Sequence, residues 1–389
     1  MTSIVVTTIF EPAFLDSYVE ALQAGHLSDT ANLIIIPDRK TPASVGRAAM
    51  AARQKGFRVA CPTLEEQETF LQRLGLPAGF IPYDTDNRRN VGYLMALDQG
   101  CETLVSIDDD NYCPAGTRFV EDHRVVGGTT ADPIVHSSDG WFNVCSLLKS
   151  GERTDRADTN QDGQQEDAEG IFPRGFPYFA QRAERETKWI HGGTPLPIAM
   201  NVGLWLDEPD VDAVYRLCRR PKVLTFKGPS VIMGPDVWSP INTQNTALTR
   251  AAALTYYYVR MGFPLQGLQI DRYGDILSGY LTQKCVKHLG QGIRVGTPIL
   301  DHRRSPHNLF KDLYHELAGM VLIEELIPWM IEVKLSGATH LEAYACLADH
   351  LAAEADQFKG FVWDHGGRDF LTDTANCMKT WIKAVASIG

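Results

Sequence analysis

A chain of 389 residues that is 44% hydrophobic, 9% aromatic and 22% charged has the composition of a folded globular protein, which excludes the disordered and fibrous classes. At about 150 residues per domain the length admits two or three domains, or one enlarged α/β domain with an addition. Lys and Arg number 37 against 48 Asp and Glu, a net charge of −11, so the balance argues against a nucleic-acid partner or an anionic membrane surface, and an anionic ligand needs a local cation.

The opening MTSIVVTTIFEPAF has no basic segment before its apolar stretch and no small-residue cleavage site, which argues against a signal peptide. Glu324 and Glu325 interrupt the most apolar run, Val321 to Met330, so no membrane span is expected. The eight cysteines stand singly, without C-x-x-C pairs, and are read as buried thiols of a cytoplasmic protein.

Along the chain, Ile4 to Ile9 and Asn32 to Ile36 are apolar runs of strand length, and Phe14 to Ala24 between them has helical spacing. A strand is expected at Arg58 to Cys61, a helix at Leu64 to Leu74, a second helix at Asn90 to Gln99, and a strand at Thr103 to Ile107. Strand, helix, strand order implies parallel pairing and a ligand site outside the carboxyl ends of the strands. Ser150 to Gly170 is almost free of apolar side chains and is expected to be a mobile acidic surface loop inserted in one domain. Short strands follow at Ile293 to Val295 and Pro298 to Leu300, and from about Asn308 the spacing of Leu313, Leu317, Val321, Leu322 and Ile327 turns helical to the end.

The densest local signal is LVSIDDDNY, an apolar strand that runs into Asp108, Asp109 and Asp110. In extended backbone Asp108 and Asp110 fall on one side and can share a hard divalent cation, Mn²⁺ or Mg²⁺, completed by substrate phosphates. A solvated acidic turn with capping Asp side chains explains an isolated triplet equally well. Arg88 and Arg89 precede a helix, where they either meet phosphate or stay solvated. In DRYGDILSGYL, Asp275 sits at a helix start, as a general base or as an N-cap. His302 ends a strand in ILDHRR, where an imidazole could complete a metal site. GQGIRVG follows a helix and precedes a strand, the reverse of a dinucleotide fingerprint, and HELAG lacks the second His of a zinc protease. Neither a Walker phosphate loop nor a G-x-S-x-G elbow occurs.

Together SIDDDNY, GLWLDEPDVDA from Gly203, NTALTR from Asn245, and the block from Asp271 beginning DRYGDILSGYLTQKCVKHLGQGIRVGTPILDHRR resemble the reversibly glycosylated polypeptides, or UDP-arabinopyranose mutases, over roughly residues 1–330. The resemblance implies a GT-A glycosyltransferase fold, a UDP-sugar, and a divalent metal held by the Asp motif. Asp108, Asp109 and Asp110 match that motif, and His302 matches a His that completes the metal site. Asp275 matches the second acidic residue of an R-Y-D-D block whose first is Gly274 here. Arg89 matches an Arg before a G-Y pair, and Asp38 follows the second strand where a base or ribose contact belongs. The family's R-G-Y-P-F-S-L-R-E segment corresponds to RGFPYFAQRAERE, with Arg182 matched to its second Arg only by inserting one residue.

The expectation is therefore an α/β protein with a GT-A mixed sheet flanked by helices. Residues 1–310 would form the nucleotide-sugar-binding and catalytic domain and 311–389 a helical C-terminal extension. The expected activity is metal-dependent transfer of a sugar from a nucleotide-diphosphate donor, with UDP-sugar as the donor class, to an unidentified acceptor; the alternatives are a UDP-sugar (arabinopyranose-type) mutase or self-glycosylating protein, and a non-catalytic nucleotide-sugar-binding protein. Asp275 and Arg182 are the catalytic candidates, Asp38, Arg89, Asp108 and Asp109 the nucleotide candidates, and Asp108, Asp110 and His302 the metal ligands. Trp205 is an acceptor-side or core aromatic, and self-association into a homo-oligomer stays open.

Overall fold

The computed structural model describes residues 1–152, 166–167, 170–304 and 307–388. The chain begins with a βαβ alternation: β1 (Thr2–Thr8), α1 (Leu15–Ala24), β2 (Ala31–Pro37), α2 (Ala43–Gln54) and β3 (Arg58–Ala60). It continues through α3 (Leu64–Arg73), α4 (Arg89–Asp98), β4 (Thr103–Ile107) and the two-residue β5 (Asn111–Tyr112). Then come β6 (Ile134–Ser137), β7 (Thr187–Ile190), β8 (Ile198–Asp207), β9 (Val231–Met233), β10 (Asn245–Thr249), α5 (Gly274–His288) and β11 (Gly292–His302). Three helices close the chain: α6 (Leu309–Glu332), α7 (His340–Glu354) and α8 (Arg368–Ala386).

The sheet runs β3-β2-β1-β4-β10-β8-β11-β9-β6-β7. β1 is parallel to both β2 and β4, so the winding reverses at β1 and a crevice opens beyond the carboxyl ends of β1 and β4. β10 is antiparallel to β4 and to β8, while β11 is parallel to β8; the sheet is mixed and is flanked by helices, as expected. Alternation divides the first strands between two cores. Ile4, Val6, Leu33 and Ile35 face one cluster with α1 and α2, and Val5, Ile34 and Ile36 face the other with α4, α5 and the C-terminal helices.

Differences from expectation have physical causes. α2 has no counterpart in the sequence reading because its buried face is Val45, Ala49 and Ala52, and alanine contributes little apolar contrast. β11 is one continuous strand rather than two short ones. Of the expected loop, 153–165 and 168–169 lie outside the described residues, whereas Leu148–Glu152 is a strand paired antiparallel with Pro221–Phe226. No described helix is long and apolar enough to cross a membrane.

α5 is buried on all sides from Gly274 to Val286, clasped between the sheet and the C-terminal helices. Those helices belong to the same apolar cluster as the sheet; Trp381 of α8 packs its ring 5.6 Å from that of Tyr257 and donates Nε1–H to Leu254 O. Close approach on the other side depends on Gly279, where a Cβ would stand 1.9 Å from the carbonyl oxygen of Ile241. Although alanine is the better helix former by about 1 kcal/mol, Gly279→Ala is expected to lower stability by about 2 kcal/mol through overpacking against backbone. A lowered urea midpoint at unchanged slope is the measurement, and a midpoint equal to wild type would mean that α5 stands off.

Beneath the sheet, buried His123 donates or accepts at both nitrogens, 2.9 Å to Asn245 Oδ1 and 3.0 Å to Asn201 Nδ2. The amide atoms assign it the neutral tautomer with the proton on Nε2. Burial lowers its pKa from 6.5 to about 3, so below pH 6.5 the unfolded chain binds a proton that the fold excludes. Stability is thus complete above that pH and is lost as the pH falls toward 3. Between pH 6 and 4 the wild-type unfolding free energy should fall more steeply than that of His123→Asn, by up to about 1.4 kcal/mol per pH unit.

Candidate active site at the carboxyl edge of the sheet

The crevice at the β1/β4 switch is a cavity of about 420 Å³. β4 ends at Ile107 and delivers Asp108, Asp109 and Asp110 to its mouth, all three in its lining. Asp108 is fixed by Arg89, the first residue of α4, whose NH2 lies 2.6 Å from Asp108 Oδ1. NH1 of the same buried side chain donates to Ile107 O at 2.7 Å and Ser106 Oγ at 3.0 Å. Arg89 is therefore the counter-ion and brace of the triplet, rather than a side chain extended toward a ligand.

Asp110 meets His302 although 192 residues separate them. The reason is strand pairing: β5 is antiparallel to the end of β11, with His302 opposite Asn111. His302 donates Nδ1–H to Glu208 O at 2.5 Å, and its Nε2 lies 3.1 Å from Asp110 Oδ2. A backbone carbonyl on Nδ1 is the arrangement that fixes a metal-binding imidazole with Nε2 as the ligating atom. Among the described residues no three His, Cys, Asp or Glu side chains are drawn together as a ready-made metal group. The residues that could hold a divalent cation are Asp110 and His302, which are in contact, with Asp108 lining the same mouth, the remaining ligands coming from substrate and water.

Deeper in the cavity, Asp275 starts α5 and faces Arg174, whose NH2 is 2.5 Å from Asp275 Oδ2. The same guanidinium holds Asp210 through Nε at 3.1 Å and NH2 at 3.2 Å, and NH1 also donates to Arg272 O. Arg174 is thus saturated, with every arm donating inside the protein. Asp210 accepts a further bond of 2.8 Å from Asn242. Arg182 is not in this group: it is exposed, beyond the short helix Tyr178–Gln181 that carries it to the surface. The arginine of this segment that reaches the cavity is Arg174. Asp38 does line the cavity, but each of its oxygens accepts a backbone amide at 2.7 Å, from Arg39 and from Asp84. It ties the end of β2 to a loop in which Asp84 has φ +59°. Trp205 is a core residue of β8, 6% exposed.

Comparisons with known proteins bear on the same residues. Residues 172–389 match the family described as reversibly glycosylated polypeptide. The chain belongs to that family. Among curated relatives, probable UDP-arabinopyranose mutase 4 of Arabidopsis thaliana is 27% identical over 268 residues, 68% of this chain and 63% of the relative. UDP-arabinopyranose mutase 1 of Arabidopsis thaliana is 24% identical over 98% of this chain and 91% of the relative. The chain spans less than two thirds of the length of the first such relatives, 63% for the Arabidopsis protein and 53% for probable UDP-arabinopyranose mutase 1 of Solanum tuberosum. Among solved structures, glucosyl-3-phosphoglycerate synthase from Mycobacterium tuberculosis with Mn²⁺ and uridine-diphosphate-glucose is matched at a TM-score of 0.38 and 15% identity, covering 84% of this chain and 80% of that one.

The family match includes α7 and α8, which lie beyond the roughly 330 residues of the sequence resemblance. Within the matched region lie Arg174, Asp210, Asn242, Asp275 and His302, so the deeper half of the site belongs to the family segment. Arg174 and Asp210 were missed as site residues although Asp210 stands in a block that carries the resemblance and Arg174 opens the segment matched beside it. The signal available was the pairing of one Arg with two Asp, which needs the fold to become visible.

Electrostatics set the character of the two halves. Burial raises the Asp109 carboxyl to about 6, against a lowering hydrogen bond from Thr8. Burial likewise raises Asp108, opposed by Arg89 and reinforced by Asp110. Burial thus disfavours the charged form of both carboxyl groups. Asp210 shows the reverse, since Arg174 overcomes its burial and holds it far below the usual carboxylate range. Removing the shared cation leaves Asp210 and Asp275 buried without it. Arg174→Met is therefore expected to cost about 3–5 kcal/mol. In urea unfolding the double variant Arg174→Met/Asp275→Asn should lose less than the sum of the two single changes; strict additivity would mean that the pair is not coupled.

Proposed function

We propose that this protein is an enzyme acting on a nucleoside diphosphate sugar, in which the bond between the anomeric carbon and the diphosphate breaks. One observation carries the reading. The cavity is lined by eight Asp and six Lys or Arg side chains, so an anionic diphosphate is best accommodated with a cation, and Asp108 and the Asp110–His302 contact stand at its mouth. Those three residues would hold Mn²⁺ or Mg²⁺, which supplies neutralisation of the charge that develops on the leaving diphosphate.

The rest of the work falls to the chain. Exposed Ile9 and Phe10, beyond the end of β1, offer an apolar wall on the side of Asp38 and Lys40, which suits the nucleoside end. Asp109 faces the same mouth as a nucleotide-side candidate. Asp275, held in one orientation by Arg174, faces the sugar, where its carboxylate orients a hydroxyl or accepts its proton. The cavity lies beyond the strand ends, with the saturated Arg174 beneath it as a rigid floor.

The names of the relatives support a UDP-sugar substrate and ring interconversion of the arabinopyranose type, in which the same diphosphate recombines with the sugar after the ring has reclosed through another hydroxyl oxygen. A second reading, transfer to an added acceptor, is favoured by the arginines of the segment from 174: Arg182 is outside the cavity and Arg174 has no free arm with which to receive a sugar.

Incubation with UDP-arabinopyranose and Mn²⁺ without acceptor separates them. Appearance of UDP-arabinofuranose by chromatography supports the mutase, whereas turnover only when an acceptor is supplied selects the transferase. Asp110→Asn is expected to weaken UDP binding at least about 10-fold and to make the remaining affinity insensitive to chelation. Equal UDP affinity in wild type with and without chelator would remove the metal from the reading.

A further inference from the structure

Among the cations that line the cavity, one that is buried pairs with a single described side chain. Arg88 and Arg89 direct their terminal nitrogens, and Arg174 all of its nitrogens, into bonds inside the protein. Arg272 engages Glu316 and Asp312 and is about a third exposed. Lys40 stands at the rim, 69% exposed. Arg304 differs from them all. Its side chain lines the cavity and is only 9% exposed, yet among the described residues it makes one hydrogen bond, from NH2 to Asp312 Oδ2 at 3.2 Å. Asp312 is itself shared, with Arg272 NH1 at 3.3 Å and His307 Nδ1 at 3.2 Å.

A guanidinium carries five N–H donors, so most of those on Arg304 remain uncommitted beside the cavity. Burying a cation so thinly paired is unfavourable unless a ligand completes it. Its place in the fold says which ligand group. Arg303 donates its backbone N–H to Asp110 O at 2.8 Å, so Arg304 directly follows the strand pair that joins Asp110 to His302. Its charge acts on both Asp110 and Asp210, and Asp210 shares Arg174 with Asp275. Arg304 thus lines the cavity one residue beyond the backbone bond to Asp110, on the side of the Asp110–His302 contact.

Resting on the nucleotide-sugar reading of the cavity, we propose that Arg304 is the phosphate fork of this site, binding the terminal phosphate of the nucleoside diphosphate, the one bonded to the sugar. Its planar donors match two phosphate oxygens at once. As the bond from the anomeric carbon to phosphate oxygen breaks, the electron pair passes to that oxygen and the phosphate gains a negative charge. Arg304 receives this charge through N–H bonds already in place, and no proton moves. Asp312, behind it, keeps the fork aimed while sharing its own charge among three partners.

The test is calorimetric binding of UDP and of UMP to the full chain, in Mn²⁺ and again with chelator, for wild type, Arg304→Gln and Arg304→Lys. Arg304→Gln should weaken UDP about 10-fold or more and leave UMP within about 2-fold, the unchanged UMP affinity also reporting an intact fold. Arg304→Lys should recover part of the UDP affinity, because charge returns without the fork. Equal weakening of UDP and UMP, unchanged UDP affinity in Arg304→Gln, or Arg304→Lys indistinguishable from wild type would each overturn the proposal. A wild-type protein that binds UDP no better than inorganic phosphate would overturn the nucleotide-sugar reading as well.

Discussion

Carboxylates gathered at one edge of a sheet repel one another, and the site depends on how that repulsion is contained. Arg89 braces Asp108, His302 meets Asp110, and Arg174 binds Asp210 and Asp275 together. Each contact joins distant parts of the chain: a helix start to a strand end, β5 to β11, and the segment from 174 to α5. The contacts are not equivalent, however. Asp210 is over-neutralised by its arginine, while Asp108 and Asp109 retain protons at unusually high pH because burial outweighs their cations. The cavity is consequently braced by Arg174 at its floor, while burial disfavours charge on the carboxyl groups at its mouth.

The same containment explains why α5 is so tightly enclosed. Asp275 is aimed only if the first turn of that helix is immobile, and the helix is buried along nearly its whole length between the sheet and α6 to α8. Glu316 and Asp312, on the first turns of α6, reach Arg272 and Arg304 on the cavity wall. The C-terminal helices therefore do more than cover an apolar face, since their acidic residues hold the basic side of the site. A separation at residue 310 into catalytic domain and appendage understates this, because the apolar cluster and the ion pairs both run across it.

Much of the architecture was legible because apolar periodicity encodes it. The runs at β1, β2 and β4 are buried on both faces and stand out as continuous apolar segments, and α1, α3 and α4 carry helical spacing. α2 escaped because alanines form its buried face. Within the site, the Asp triplet, Asp275 and His302 were legible as residues at the ends of elements, where a carboxylate or imidazole has no packing reason to be. Arg174, Asp210 and Arg304 were not, since a charged residue in a loop has the same local signature whether it is solvated or enclosed.

The order of residues alone establishes the parallel α/β beginning, the crevice beyond its strand ends, the acid triplet placed there, and the family to which the chain belongs. Those follow from local pattern and from the rule that successive parallel strands leave their carboxyl ends on one edge. It took the folded chain to reveal that Arg174 rather than Arg182 enters the cavity, that Arg89 braces Asp108 instead of reaching outward, and that His302 finds Asp110. The physical reason is that burial and charge pairing are properties of side chains drawn together from distant segments, and no local stretch of chain carries that information.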